Sequence, residues 1–287
     1  MWFVWGLLSS LIFAMSGFLM KTSSVKRGSV IATLFGLYLS GTLGFAGLVV
    51  WQGQFRWDWA VLVAGIIVGF GSAAGNWLFM VALEKGPASL TSPLVNTNIL
   101  LIILFSTLFY GERLTFMEWT GVGLLLLAVL CIPIDPDEEL AIRDKKWYAV
   151  VIGATLLFTF RNGGLKVTEE LGMTGEIVLF YSYLLGLIWF SFELWRKGRN
   201  TNQHAGTKAM GTGIKWGLLA GIFSFAGMQL YTVALIEGPA SIVAPLFATN
   251  SLVVALLSIL FFKERLSSVQ KISLIFLFIG LVLTRIS

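Results

Sequence analysis

Residues 81–114 read VALEKGPASLTSPLVNTNILLIILFSTLFYGERL, and residues 233–266 read VALIEGPASIVAPLFATNSLVVALLSILFFKERL. The two stretches align without a gap at an offset of 152 residues, and 19 of their 34 positions are identical. Apolar helices share leucine and valine by chance. They do not share an aligned GPAS, an aligned proline, an aligned Thr-Asn pair and an aligned Glu-Arg-Leu. An internal duplication is therefore predicted.

The composition predicts that the duplicated units lie in a membrane. The chain has 287 residues, of which 57% are hydrophobic and only 12% are charged. A soluble domain carries about 25% charged residues to cover its surface, so this chain has too little charge to face water. A spanning helix needs about 20 apolar residues, and the length therefore allows about ten spans.

Hydropathy marks ten apolar segments separated by short or polar connections. The first lacks a basic leader and a cleavage site, so it is read as a retained helix. The segments are 2–20, 29–51, 59–83, 88–110, 115–133, 147–167, 175–195, 213–236, 240–262 and 268–286. This pattern predicts an all-α membrane protein with ten transmembrane helices.

The repeat divides these segments into two halves of five, residues 1–133 and 147–287, joined by a charged linker at 134–146. Because five is odd, the second half enters the membrane from the opposite side. Two inverted five-helix repeats are the architecture that gives alternating access around a site near the midplane. Duplication of a purely structural unit is the alternative.

Glycine and proline mark matching places in the two halves. The Gly-Pro pairs at 86–87 and 238–239 predict tight hairpins, because Gly suits a helix end and Pro the first turn of the next helix. Pro93 and Pro245 lie inside the following helices, where each removes a backbone hydrogen bond and is expected to kink the helix. A freed carbonyl that contacts cargo is the other interpretation.

Three asparagines lie at mid-span. Asn98 and Asn250 are aligned, and each follows a threonine, Thr249 in the second half. An amide in hydrocarbon must hydrogen-bond, so these side chains either join helices or contact cargo. Asn96 lies on the same span but aligns with Ala248, and this asymmetry favours a cargo role for Asn96.

Arg161 is the most informative single residue, because it lies inside the sixth segment with Asn162 beside it. A guanidinium in the membrane is costly unless it is paired or solvated, and such residues mark functional sites. Arg binds a carboxylate or phosphate through a fork of donors. A counter-charge for an anionic cargo is one prediction. Snorkelling towards the interface near Lys166 is the other.

A second group of polar and aromatic residues lies deep in the third, seventh and eighth segments. These side chains could line an amphipathic pocket, or they could simply pack between helices. They are Asn76, Trp77, Tyr181, Gln229 and Tyr231. Tryptophans near segment ends, including Trp147, fit an interfacial belt instead.

Several chemistries have no support in the sequence. With one cysteine (Cys131) and one histidine (His204), we expect no disulfide, no metal site, no other cofactor and no enzymatic nucleophile–base pair. Basic residues flank the membrane segments, so no nucleic-acid partner is expected. No acidic residue lies at a span centre, which favours a facilitator or exchanger, and Glu176 is the one candidate for ion coupling.

The positive charges are unevenly distributed. Of the 20 Lys and Arg, loops on the side opposite the N-terminus hold 15 and loops on the N-terminal side hold 4. The positive-inside rule then predicts that both termini lie outside the cell.

Taken together, Trp5-Gly6, the two GPAS hairpins and the Glu-Arg-Leu corners within 111–114 and 263–266 resemble the drug/metabolite transporter superfamily, in its EamA branch. The resemblance covers the whole chain, with one EamA unit per half. It implies a multi-pass cell-membrane carrier of metabolites, amino acids, organic acids or drugs, often working outward. It also implies that both termini lie inside, against the charge count, and it gives Arg161 no role.

The expected function is transport of a small molecule by alternating access, with the first, third, fourth, sixth, eighth and ninth segments lining the cavity. The fifth and tenth are expected to face lipid or a second copy, as in a homodimer. A lipid-carrier flippase and a non-transporting partner subunit are the alternatives. A membrane enzyme would need convergent carboxylates or histidines, which the short loops do not supply.

Overall fold

The structure is a computed structural model that describes residues 1–53, 58–98, 100–101, 115–131, 142, 144–198, 204–237, 243, 247–264 and 266–283. Within this part of the chain it contains ten helices and no β-strand. The helices are α1 (Trp2–Val25), α2 (Val30–Trp51), α3 (Trp59–Lys85), α4 (Ala88–Val95), α5 (Phe116–Cys131), α6 (Lys146–Glu170), α7 (Gly175–Gly198), α8 (His204–Glu237), α9 (Asn250–Phe262) and α10 (Ser268–Leu283).

Six of the described helices are long and apolar enough to cross a bilayer. They are α1, α2, α3, α6, α7 and α8. A lipid-exposed chain must satisfy its own backbone hydrogen bonds, and the helix does this within one segment. The other four helices, α4, α5, α9 and α10, are described over 8 to 16 residues. The linker predicted at 134–146 and Pro245 fall mostly or wholly outside the described residues.

The main packing contacts join one half of the chain to the other. Helix α1 packs along α8, and its counterpart α6 packs along α3. Helix α2 packs on α8 as α7 packs on α3, while α2–α7, α4–α9 and α5–α10 contact each other as matched pairs. Each of these contacts thus has a counterpart when the two halves are interchanged, and over the described residues the helices of one half contact the other half more than they contact each other.

Close contacts between α2 and α7 give their relative direction. Gly41 of α2 lies against the ring of Tyr183, and Gly186 of α7 lies against the ring of Tyr38. Residue numbers rise along one helix as they fall along the other, so these two equivalent helices are antiparallel. The parallel pair α2–α8, in contrast, brings Gly36 to Gly217 and Gly44 to Phe225.

Glycines on α8 let α2 approach closely. Gly213, Gly217 and Gly221 are spaced four residues apart and therefore lie on one face. A Cβ on Gly217 would lie 2.1 Å from the carbonyl oxygen of Thr33. Helices in lipid associate through such small-residue faces. Lipid tails are as apolar as the helices, so close packing rather than the hydrophobic effect holds the helices together.

A buried ion pair holds the corner between α3 and α4. Lys21 of α1 lies 3.3 Å from Glu264 and donates hydrogen bonds of 3.0 Å to the carbonyls of Leu83 and Gly86. Glu264 accepts from the backbone N–H groups at 88 and 89, at 2.9 and 3.0 Å. The carboxylate thus caps the first N–H groups of α4, where the helix dipole favours negative charge. We call this set of contacts the α4 clasp.

Trp147 also lies at this corner and is fully buried, so its expected place in an interfacial belt is wrong. Its indole N–H donates to Thr91 Oγ1 at 3.1 Å. Gly86 is needed here because a Cβ would lie 2.6 Å from the indole nitrogen.

Candidate functional site

A small cavity of about 50 Å³ lies between the helices near mid-bundle. Its lining comes from α1, α3, α4, α6, α8 and α9, with Leu37 from α2 and Asn96 just beyond α4. These are the six helices named from the sequence, plus one. The polar side chains in the lining are Ser16, Asn76, Ser92, Asn96, Arg161, Ser224 and Asn250.

Arg161 supplies the positive charge of this cavity. Its side chain is only 9% exposed, and its Nε donates to Asn162 Oδ1 at 3.0 Å. The guanidinium carbon lies 4.4 Å from the ring centre of Phe158 and 5.8 Å from that of Phe13. Among the described residues, no carboxylate forms an ion pair with Arg161. Asn162 orients the guanidinium without neutralising it.

The two phenylalanines around the guanidinium occupy equivalent places in the repeat. Phe13 and Phe158 align at the offset of 145 residues that relates α1 to α6. A Cβ on Gly227 would lie 2.7 Å from Phe13 Cβ, and one on Gly75 would lie 2.8 Å from Phe158 Cε1. Glycine on the neighbouring helix therefore makes room for each ring.

Two equivalent tyrosines cross the centre of the bundle beside the cavity. The rings of Tyr38 and Tyr183 lie 5.5 Å apart. Tyr38 hydrogen-bonds Ser72 at 3.0 Å, and Tyr183 hydrogen-bonds the matching Ser224 at 2.5 Å. The two halves thus contribute the same pair of hydroxyl contacts, which satisfies polar groups buried between the helices.

Polar residues of the cavity break this symmetry at four positions, one of which is Ser92, aligned with Ala244. Arg161 aligns with Ser16, Asn96 with Ala248, and Asn76 with Met228. Asn76 donates to the Tyr38 hydroxyl at 2.9 Å, a bond that methionine cannot make in the other half. The additional polar groups all come from the side of the cavity formed by α3, α4 and α6, and this side is therefore the more polar.

The fourth predicted span is not one continuous helix over the described residues. Helix α4 contains Pro93 and ends at Val95, and Asn96 and Thr97 form a turn before helical residues resume. Asn96 N–H still bonds Ser92 O at 3.2 Å. Asn96 keeps a helical backbone conformation and lies in the cavity wall.

The structure brings Arg161, Asn96, Asn76 and Asn250 together in the lining. Asn250 Nδ2 donates to the backbone carbonyl of Phe247 at 2.5 Å. Asn98, its counterpart in the repeat, is 3% exposed, and its amide nitrogen has no hydrogen-bond partner. Asn98 does not line the cavity.

The other predicted site residues lie away from the cavity. Thr249 hydrogen-bonds Ser10 at 2.7 Å and so joins α1 to the start of α9. Trp77 is 44% exposed on the outer face of α3. Tyr181 is buried beside Val49 and Ile177.

Two further predicted residues on α8 contact neighbouring elements instead. Gln229 Nε2 donates to Glu176 Oε1 at 3.2 Å, and this bond joins α8 to the start of α7. The ring of Tyr231 lies 4.4 Å from that of Phe247, which in turn lies 4.9 Å from Phe13. Tyr231 therefore packs behind Phe247, which contacts the cavity-lining Phe13.

The sequence prediction omitted Phe13, Phe158, Ser16, Ser92 and Ser224. An alignment of the full repeat would have identified several of them, because Phe13 matches Phe158 and Ser72 matches Ser224. Over the described part of the chain, no group of three or more His, Cys, Asp or Glu could hold a metal ion.

Comparison with known proteins places this geometry in context. The family model of the EamA-like transporter family matches residues 1–133 and again residues 145–286. A crystal structure of a protein that is 16% identical has the same fold, with a TM-score of 0.63 over 99% of this chain and 96% of that one.

Several curated relatives carry transporter names. An uncharacterized transporter of a Sinorhizobium species is 32% identical over 45% of this chain and 96% of its own length. An uncharacterized transporter of Synechocystis is 27% identical over 49% of this chain, and the match covers 44% of that protein. A probable 4-amino-4-deoxy-L-arabinose-phosphoundecaprenol flippase subunit of Aeromonas salmonicida is 26% identical over 30% of this chain and 76% of its own.

Proposed function

Because the chain belongs to the EamA-like transporter family, we propose that this multi-pass membrane protein carries a small metabolite with a carboxylate group by alternating access. The cavity around Arg161 is the cargo site. The family match and the named relatives support transport in general. The cargo class, the ten-span topology and the direction of transport are the proposal.

Inversion of the two halves supports the alternating mechanism. The equivalent helices α2 and α7 run antiparallel, and the contacts of α1 with α8 repeat as those of α6 with α3. Two mirrored units of five spans each can exchange conformations, so that the closed side and the open side change places. The residues that line the cavity come from both units.

Arg161 is the observation that carries the cargo assignment. A buried guanidinium that lacks a carboxylate partner costs free energy that an anionic cargo would recover. Asn162 holds only its Nε, which leaves the two terminal nitrogens to grip a carboxylate or phosphate in a bidentate fashion. The burial of Arg161 at 9% exposure speaks against snorkelling to the interface.

No carboxylate lines the cavity among the described residues. Coupling to a proton usually needs a buried group that titrates within the pathway. We therefore propose a facilitator or exchanger, with the buried Glu176 as the candidate for coupling an ion from outside the cavity. Export is the direction that the family resemblance implies.

A lipid-carrier flippase is the second candidate, because one relative is named as a flippase subunit. The cavity argues for the first candidate. Its volume is about 50 Å³, which is room for about four water molecules, and the polar groups lie at mid-depth rather than at an interface. A polyprenyl phosphate cargo would need an opening along the lipid face.

Flux through purified protein in liposomes tests the proposal. Liposomes are loaded with labelled organic acids, amino acids, nucleosides and cationic drugs, with and without a pH gradient. We expect saturable flux of a carboxylate that ignores the gradient and that runs from either side. Gradient-driven flux of a cation would overturn both the cargo class and the facilitator mechanism.

Arg161→Ala is expected to lower carboxylate flux at least about 100-fold, since a charged hydrogen-bonding partner contributes about 3 kcal/mol or more when buried. Arg161→Lys keeps the charge but loses the fork, and should retain part of the flux. Arg196→Ala is the control, because that side chain is 62% exposed in an ion pair with Glu193. Flux that survives Arg161→Ala unchanged would refute the assignment.

A further inference from the structure

We infer that the cavity selects a small hydroxylated monocarboxylate over a zwitterionic amino acid of the same size. This inference rests on the proposed function, because it specifies the cargo of the same site. Three features of the described lining support this inference. They are its net charge, the contact of its phenylalanine rings with Arg161, and the amide oxygens that can still accept a hydrogen bond.

The charge of the lining favours an anion of charge −1. Arg161 is the only charged side chain among the described lining residues. A monoanion neutralises it, and the closed site then buries no net charge. A zwitterion leaves one positive charge buried, and its ammonium group lies only a few ångströms from the guanidinium because it is attached next to the carboxylate. A dianion leaves one negative charge buried, which is costly for the same reason.

The aromatic faces offer no compensation for an ammonium group. Aromatic rings can replace a carboxylate as the partner of a cation. The rings of Phe158 and Phe13 already lie 4.4 and 5.8 Å from the guanidinium carbon. A second cation at these rings would therefore be placed beside the first.

The amides of the lining suit hydroxyl groups. Asn76 uses its Nδ2 to donate to Tyr38, and Asn250 uses its Nδ2 to donate to Phe247 O. Among the described residues, no group donates to the side-chain oxygen of either amide. Both residues line the cavity, so a hydroxyl on the cargo can donate to these oxygens without adding charge.

Size limits the cargo further. A cavity of about 50 Å³ has room for about four water molecules, which is comparable to a three- or four-carbon acid. Because Arg161, Asn76 and Asn96 have Ser16, Met228 and Ala248 as their counterparts, only one side of the cavity can bind the carboxylate. The cargo should therefore bind in one orientation.

Calorimetric binding to the full chain in nanodiscs tests the inference with four matched three-carbon probes. They are L-glycerate (one negative charge), L-serine (a zwitterion), glyceramide (neutral) and tartronate (two negative charges). L-serine differs from L-glycerate only in an ammonium group that replaces a hydroxyl. We expect L-glycerate to bind about tenfold or more tightly than each of the other three.

The outcomes separate this inference from the proposed function. If L-serine binds as tightly as L-glycerate and both need Arg161, the carboxylate carrier stands and the selectivity is overturned. If Arg161→Gln leaves L-glycerate binding unchanged, the proposed cargo site fails and the inference fails with it. In support, Arg161→Gln should reduce L-glycerate binding to about the level at which glyceramide binds the unaltered protein. No detectable L-glycerate binding at millimolar concentration also overturns the inference.

Discussion

At the scale of single residues, buried charges decide most of the chemistry of this protein. Arg161 is 9% exposed and has no carboxylate partner among the described residues, whereas Lys21 is 8% exposed and is paired with Glu264. A buried charge with an ionic partner stabilises the fold, whereas a buried charge without such a partner is available to bind an oppositely charged ligand. The ion pair with Glu264 offsets the cost of burying the charge at Lys21, and at Arg161 we propose that an anionic cargo offsets it.

Glu264→Gln is expected to destabilise the folded protein by about 3–5 kcal/mol, because it leaves the Lys21 ammonium buried without a counter-charge. The free energy of unfolding in mixed micelles measures this. Glu193→Gln is the matched control, since its partner Arg196 is 62% exposed and the ion pair should contribute about 0–1 kcal/mol. The double variant Lys21→Met, Glu264→Gln should be more stable than Glu264→Gln alone. Equal effects at Glu264 and Glu193 would contradict the role given to the α4 clasp.

At the scale of helices, small residues determine which helices contact each other. Gly213, Gly217 and Gly221 place α8 directly on the backbone of α2. In the first half, Gly65 and Gly69 occupy the aligned positions and pack α3 on α7, against Tyr181 and Ser182. The packing of α8 on α2 and that of α3 on α7 are both needed to form the cavity, because each side of the cavity contains helices from both halves.

Gly217→Ala should lower the free energy of unfolding by about 1–3 kcal/mol, since the added methyl overpacks the contact. It would meet the Thr33 carbonyl oxygen at 2.1 Å, which is backbone and cannot move aside. Gly211→Ala on the same helix is the control, because nothing lies within 4 Å of a Cβ there. Alanine at 211 should raise stability slightly through its better helix propensity. Thermal unfolding in detergent compares the two, and equal midpoints would count against the close packing of α2 and α8.

At the scale of the whole molecule, the antiparallel pair α2 and α7 fixes which ends of the helices share a side. The end of α2 lies near the start of α7, as the contact of Val49 with Ile177 shows. The N-terminal end of α2 lies near the start of α8, where Ser29 N–H bonds Ala209 O at 2.9 Å. The positive-inside rule predicts that this second side, with its excess of Lys and Arg, lies in the cytoplasm.

Cysteine labelling in intact cells tests this topology. In a Cys131→Ser background, a membrane-impermeant maleimide should label Gln52→Cys and Leu171→Cys. It should label Arg27→Cys and Arg196→Cys only after the cells are opened. The reverse pattern would place both termini inside, as the family resemblance implies. A mixed pattern, with Gln52 and Leu171 on different sides, would refute the inverted arrangement of the halves.

The sequence by itself determined the membrane class and the duplication. These follow from composition and spacing, which do not depend on how helices pack. Asn76 and Trp77 show where that information ends. They are adjacent in sequence, yet Asn76 lines the cavity and Trp77 is 44% exposed to the outside. On a surface helix of a soluble protein, the polar face points to solvent, so Asn76 would have been expected on the outside.

Only the tertiary structure decided which residues meet at the cavity and which polar groups pair. Lipid and protein interior are both apolar, so hydropathy gives no orientation for a helix about its own axis. Contacts such as Lys21 with Glu264 or Asn162 with Arg161 depend on that rotation. The packing of small residues sets this rotation, and the rotation determines which side chains line the cavity.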